Sequence, residues 1–434
     1  MGQGIDIQDL FPKIQTICIP DDHRTGHFFC FGTTGAGKTK AMENMIVQDI
    51  KKGHSVVCVD PKGDIDLVSK IVQTAFETER EQDLFMVTPI FPQYSAKIDP
   101  LSYYAIPEEL VNHVISGIQS KEEFFINIAY ETTLMIVKSL ILLKKHGHPE
   151  IHINFDAIYK ECSYNALGGL YQRILTIDSP EAQEIKVGIN HILGSTPEYF
   201  SKVASTLRTV LTSLSTGSVG EIIGKPKSNQ FIKRLEEGQT VILIVQTGSL
   251  LAGKTAHLVG RVIISMIQTF AGRKLASGDS IKPPLSLFMD EFSNIAYLNI
   301  EDMFSKGRTA NVKCHAFTQS IADLNDAIGP SKARKILDNT NIKLFMRVND
   351  PDTARYIAEY SGTIKKFSPI MQTGGSITIR EEQEPTILME DVMGLREKDF
   401  YLFATSGGYK GRSALVEPPY VNVIFPELKL CSKM

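Results

Sequence analysis

An amine, three hydroxyls and three glycines stand together at Gly32-Thr33-Thr34-Gly35-Ala36-Gly37-Lys38-Thr39. The spacing is G-x4-G-K-T, entered from the apolar run Phe28-Phe29-Cys30-Phe31 and left by a helix-like segment, Lys40 to Ile50. A buried strand before and a helix after is the context that makes this pattern a phosphate loop. Its glycines let the backbone curl with N–H groups pointing inward, forming an anion nest at a helix N-terminus. Lys38 is placed to reach β- and γ-phosphates, and the Thr39 hydroxyl to ligate Mg2+. The nucleotide cradle is expected to comprise Gly32, Thr33, Thr34, Gly35, Ala36, Gly37, Lys38, Thr39 and Lys40.

Three further groups have the chemistry to complete such a site. Leu285-Ser286-Leu287-Phe288-Met289-Asp290-Glu291 is an apolar strand ending in two acids. Beside a phosphate loop the Asp holds Mg2+ and the Glu polarises water as a general base; elsewhere the same pair is two solvated acids. The run Val312 to Phe317 ends at Thr318-Gln319-Ser320, where Gln319 is either a γ-phosphate ligand or an ordinary polar loop residue. Arg308, in Lys306-Gly307-Arg308, is a surface cation or an arginine finger offered to another subunit's nucleotide. His146, His148 and His152 cluster in a loop with no cysteine pair nearby, a poor metal pattern. Lys254 is a loop lysine, or one that projects toward a phosphate backbone.

The elements that must position these groups read as an α/β fold with a mostly parallel central sheet. Ser55 to Val59 and Leu285 to Met289 are continuous apolar runs, as in strands buried on both faces. The spacing predicts further strands at Leu84–Val87, Val241–Val245, Ile342–Val348, Phe400–Ala404 and Val421–Phe425. It also predicts helices over 65–76, 254–275 and, opened by the Asp350-Pro351 cap, 352–360. Residues 362–386 read as a surface hairpin or flap, and 1–26 as a lead-in without assigned strands. Roughly 250 residues separate Thr39 from Asp290, far more than successive β–α units of about 30 residues need. Helix-period segments fill the excess, so an all-α domain inserted at 106–230 is expected, with 1–105 and 231–434 forming the two parts of a nucleotide-binding domain.

Composition sets limits on function. With 43% hydrophobic and 22% charged residues the chain has an ordinary globular balance. A formal net charge of −3 leaves no bulk basic signature, so nucleic-acid contact requires a local patch or the lining of an oligomer. The six cysteines (18, 30, 58, 162, 314, 431) lack C-x-x-C spacing, and those at 30, 58 and 314 lie in apolar runs, as buried reduced thiols do. Leu134 to Leu143, interrupted by Lys138, reads as a core helix and not a membrane span.

Taken in order, the motifs resemble the TraD/TraG type of type IV secretion coupling protein, in the HerA/FtsK branch of RecA-like P-loop motors. The residues that carry the resemblance are Gly32–Thr39, the turn Val59-Asp60-Pro61-Lys62-Gly63-Asp64, Leu287-Phe288-Met289-Asp290-Glu291-Phe292, Lys306-Gly307-Arg308, Phe317-Thr318-Gln319-Ser320 and Arg347 to Gly362. The resemblance implies a homo-hexameric ATPase using ATP and Mg2+ at the cytoplasmic face of the bacterial inner membrane. It implies sequence-independent contact with single- or double-stranded DNA, a relaxase complex as partner, and a type IV secretion channel as destination. It assigns Lys38, Glu291, Arg308 and Gln319 to catalysis, with Arg308 acting in trans, and Thr39 and Asp290 to the metal. A second arginine sits just before the phosphate loop in some members; the matching position here is Gly26, with Arg24 nearby. The family begins with transmembrane helices, whereas no apolar run of eighteen residues occurs here, which implies membrane attachment through a missing segment or a partner. Two alternatives share this chemistry: a coupling ATPase that recruits protein effectors without DNA, and a chromosomal DNA translocase of the same branch.

Overall fold

Phe28–Phe31 is buried at every position and lies between two parallel strands. Phe28 pairs with His315 on one side and Ile342 on the other, and Phe31 with Thr318 and Phe345. Each fully buried Phe contributes ~2–3 kcal/mol relative to exposure, and the rings interlock, with Phe28 5.5 Å from Phe317 and Phe31 6.1 Å from Phe345. The computed structural model describes residues 1–7, 9, 11–120, 122–371 and 377–428, with backbone alone for 366–371 and 377–382. The described residues form two units, the first from 1–45, 291–293 and 315–417, the second from 46–290, 294–314 and 418 onward.

In the first unit the parallel strand Ile342–Phe345 is followed by four antiparallel neighbours: Asp399–Ala404, Gly407–Ser413, Gly2–Asp6 and Gln15–Ile17. The lead-in thus contains two strands that the sequence reading left unassigned. The overlooked signal is in Gly2 and Gly4: a Cβ there would fall 2.0 and 2.2 Å from the carbonyl oxygens of Arg412 and Lys410, so only glycine permits the approach. Helix Pro351–Tyr360 starts as its sequence predicts, with Asp350 accepting from the Thr353 N–H at 3.0 Å. Thr363–Met371 and Ile377–Pro385 pair as the expected antiparallel hairpin.

The second unit holds Leu285–Met289, Ser55–Asp60, Ile242–Gln246 and Leu84–Val87, adjacent in that order and all parallel. The first three are buried throughout, as a sheet covered on both faces requires. Between 107 and 236 every described regular element is helical, the longest being Glu123–Lys145. Glu123–Lys145 and Ser249–Ala276 are long and apolar enough to cross a membrane, but 56% and 61% of their most apolar windows are buried within the protein, where they serve as core helices. Ser249–Ala276 begins five residues before the sequence places it and breaks at Ala252 (φ −138°). Cys30, Cys58 and Cys314 are buried free thiols, while Cys431 lies outside the described residues.

One predicted strand is absent. Among the described residues Val421–Phe425 joins no sheet. It lies along helix Ile65–Glu77, where the Val423 N–H donates to Ser69 Oγ (3.0 Å) and the Tyr420 N–H to Gln73 Oε1 (2.9 Å). Phe425 stacks on Phe91 at 4.6 Å. The apolar alternation that suggested a ladder is satisfied by a helix surface.

Asp99 is fully buried where the chain passes from the sheet to the helices. Its carboxylate meets His152 Nε2 (2.9 Å) and accepts from the Leu101 N–H (3.0 Å), and its carbonyl accepts from Asn229 Nδ2 (3.1 Å). Burial pushes this carboxyl from the ordinary 3.8 up to about 6, against the opposing pull of His152. The folded value lies above the unfolded one, so its stabilising contribution is full below about pH 4 and lost as pH rises through 6. Thermal unfolding of Asp99→Asn between pH 4 and 7 is expected to lose that part of the pH slope, at most ~3 kcal/mol. A slope identical to wild type would assign it elsewhere.

Candidate nucleotide site

The loop springs from the carboxyl ends of the three parallel strands of the first unit. The Gly32 N–H donates to the Thr318 carbonyl (3.2 Å) and the Thr33 N–H to the Arg347 carbonyl (2.7 Å). Gly35 (φ +78°) and Gly37 (φ +109°) take the left-handed backbone that turns the chain into helix Lys38–Lys51. That helix has no acidic residue in its first turn, leaving its N-terminal field to an anion. Lys38 Nζ donates to the carbonyls of Gly32 (2.6 Å) and Thr33 (3.2 Å), curling over the loop. A Cβ at Gly32 would lie 3.2 Å from Lys38 Cγ and 3.0 Å from Met346 Cβ, so a larger residue would crowd the lysine stem. Backbone amides, one amine and the Thr39 hydroxyl suit a phosphate chain with its metal. Lys40 is turned to its own helix, pairing with the buried Glu43 at 2.7 Å.

Glu291 belongs to the same unit. Phe292 beside it packs edge-on against Phe29 (6.1 Å, 87°), and Ser293 Oγ accepts from Thr318 Oγ1 (3.3 Å). Glu291 itself adopts φ +44°, which costs a non-glycine residue on the order of 1–3 kcal/mol and collects at functional sites. Gln319, one residue past Thr318, is exposed at the base of the loop. The first unit therefore brings the strand Phe28–Phe31 that feeds the loop, Glu291 and Gln319 together. It excludes Arg24 from any finger role, because that guanidinium is buried 2.9 Å from His315 Nε2 and 3.6 Å from Asp21.

In the second unit Asp290 ends its strand almost fully buried, its N–H donating to the Val59 carbonyl (3.0 Å). On the adjacent strand Asp60 accepts from the Lys62 (2.9 Å) and Asp64 (2.6 Å) N–H groups. Burial raises the Asp60 carboxyl, while the turn's N–H donors pull it back. Buried Arg261 donates to the Asn294 carbonyl at 2.9 Å, tethering the chain three residues after Glu291; burial lowers this guanidinium to about 10. Arg308 is exposed, whereas neighbouring Lys306 is paired with Asp302 at 3.0 Å. Lys254 is also exposed, close in sequence to Leu250 (94% exposed) and Leu251 (68%). His148 faces Glu150 (3.1 Å) and His152 faces Asp99; among the described residues no cluster suited to a metal ion occurs.

Residues 15–398 match the family described as Type IV secretory system Conjugative DNA transfer. The chain belongs to that family. A curated member, the probable conjugal transfer protein TraG of Sinorhizobium fredii, is 22% identical over 413 residues, covering 90% of this chain and 62% of that protein. This chain thus spans less than two thirds of the length of the curated relatives it matches. The solved bacterial conjugative coupling protein TrwBdeltaN70 has the same fold, with TM-score 0.69 and 17% identity over 96% of this chain and 90% of that one. The plasmid coupling protein TrwB in complex with ADP and Mg2+ aligns with TM-score 0.65 and 17% identity, over 94% and 88%. The fold is accordingly an α/β RecA-like P-loop NTPase.

Three residues at the loop of this family member escaped the sequence reading. The Lys398 N–H donates to the Ala36 carbonyl (3.0 Å), Asn349 Nδ2 donates to Thr33 Oγ1 (3.2 Å), and Arg347 presents a buried Nε with no hydrogen-bond partner among the described residues. They lie more than 300 residues from the loop in sequence, and only the strand pairing at 342–345 discloses them.

Proposed function

We propose that this chain is the ATP-hydrolysing motor region of a coupling protein that carries relaxase-bound single-stranded DNA to a type IV secretion channel. Beside family membership, the observation that carries this reading is the packing of the strained Glu291 segment against the strand of the phosphate loop. The complex of TrwB with ADP and Mg2+ supports the choice of ligands.

In this reading the loop Gly32–Lys40 binds the phosphates and Lys38 neutralises them. Thr39 and Asp290 hold Mg2+, which when bound neutralises phosphate charge. Glu291 takes the proton of the attacking water, and Gln319 reports the presence of the γ-phosphate. Exposed Arg308 reaches the nucleotide of a neighbouring copy in a homo-hexamer. Residues 1–105 and 231–434 supply the nucleotide-binding domain, and the helical 106–230 insertion receives the relaxase complex. The working site is the cytoplasmic face of the inner membrane.

DNA contact is to phosphates and sequence-independent, so it is salt-sensitive. Single-stranded DNA is expected to raise ATP turnover at low salt, with the stimulation falling at least tenfold by ~0.2 M salt. Turnover unaffected by DNA, with no DNA binding at low salt, would leave the effector-recruiting alternative instead.

A further inference from the structure

The first unit contains a second concavity, at the end of its sheet away from the phosphate loop. It is an open cleft of about 980 Å³ between the segments 321–341 and 356–362 and the turn 404–408. Lys343 forms part of its wall on strand Ile342–Phe345, paired with Phe29 and Phe403. The phosphate loop meets the same chain segment four residues further on, at Arg347.

The Lys343 side chain is poorly compensated. The residue is only 3% exposed, yet its amine meets a backbone carbonyl (Thr340, 2.5 Å), the Tyr360 hydroxyl (3.4 Å) and the Tyr360 ring (4.5 Å to the centroid). Among the described residues it forms no ion pair. Asp338, the nearest acid in effect, pairs with Arg334 at 3.9 Å instead. A buried ammonium without a carboxylate is costly unless a ligand supplies the anion. Around it stand the flat surfaces of Tyr360 (39% exposed) and Phe403, their rings 5.4 Å apart, and the Arg334 side chain, 85% exposed at the rim. The cleft size is that of a small-ligand site.

We propose that this cleft is a second nucleotide-recognising site, distinct from the phosphate loop, for a nucleoside phosphate either free or as one unit of a single strand. The phosphate meets Lys343 and Arg334, and the base lies against Tyr360 and Phe403. The Asp338 and Glu359 carboxylates at the rim accept from base amino groups, which are available only when the base is unpaired. Stacking on aromatic rings tolerates any base, so the site is sequence-independent. The inference stands on the cleft and not on the hydrolytic reading.

The test uses the full chain carrying Lys38→Ala, so that the phosphate loop is silent. Fluorescent AMP and a fluorescent oligodeoxyadenylate are titrated at low salt, in the presence and absence of Arg334→Ser or Tyr360→Leu. Both replaced residues are exposed enough to spare the fold, unlike Lys343. Each is expected to weaken binding about tenfold; binding of AMP identifies a free nucleotide as ligand, and binding of the oligonucleotide alone identifies a strand. Burial lowers the Lys343 amine to about 8. The other charged or titratable groups facing it are Arg334 and Asp338 on one helix and Tyr356, Glu359 and Tyr360 on the other, and burial raises both phenols. Affinity is therefore expected to fall severalfold between pH 7 and 9 as the amine loses its proton. Absence of binding by both probes, or binding that neither substitution weakens, overturns the proposal. Arg334→Ser alone is expected to leave basal ATP turnover without DNA at the wild-type level, so failure here is separable from failure of the hydrolytic site.

Discussion

Replacing Lys38 with alanine is expected to abolish measurable ATP turnover and to weaken nucleotide binding by roughly a hundredfold, the loss of charge-assisted contacts totalling about 3 kcal/mol. The structure gives the reason in two parts. The amine lies over the loop on the carbonyls of Gly32 and Thr33, where it is already held for an incoming phosphate. A Cβ at Gly32 would crowd its stem, at 3.2 Å from Lys38 Cγ. Alanine removes the cation and leaves those two carbonyls without their donor, so the loop loses both charge and shape. Titration with a fluorescent ATP analogue separates these effects from turnover. Wild-type affinity in Lys38→Ala would remove the loop from nucleotide binding altogether.

The second large effect concerns Glu291 and Arg308 together. Glu291→Gln preserves side-chain shape and backbone strain while removing the base, so turnover is expected to fall ~10²–10⁴-fold with nucleotide binding retained. Arg308→Ala is expected to be comparably slow once hexamers have formed. If Glu291 acts in cis and Arg308 in trans, mixing the two inactive variants regenerates intact interfaces. Random co-assembly leaves about one interface in four with both groups, and turnover recovers toward that fraction in a ring of identical contacts. No recovery in a verified mixed hexamer would place both groups in the same subunit's site. Phe292, next to Glu291, packs edge-on against Phe29, and Glu291 itself has φ +44°.

Much of this molecule is local chemistry, and local chemistry is legible in sequence. The phosphate loop, the Asp350-Pro351 cap and the continuous apolar strands each depend on neighbours a few residues away. The misreadings have a common cause. Gly2–Asp6 is a strand because of where Gly407–Ser413 runs, and Val421–Phe425 is not one because helix Ile65–Glu77 offers its side chains in place of a ladder. His152 showed no purpose in a histidine cluster; its partner Asp99 is more than 50 residues away. Arg24 stood near a family arginine position, but His315 and Asp21 have already engaged it.

The sequence by itself determined the glycine-rich turn between strand and helix at Gly32–Thr39 and the acidic strand end at Asp290-Glu291, because side-chain type and short spacing suffice for those. Tertiary structure alone decided the backbone strain at Glu291, the enclosure of the loop by Arg347, Asn349 and Lys398, and the burial of Lys343 in its aromatic cleft. Those properties arise from contacts between strands and helices far apart in the chain, and from the burial that such contacts impose on charge.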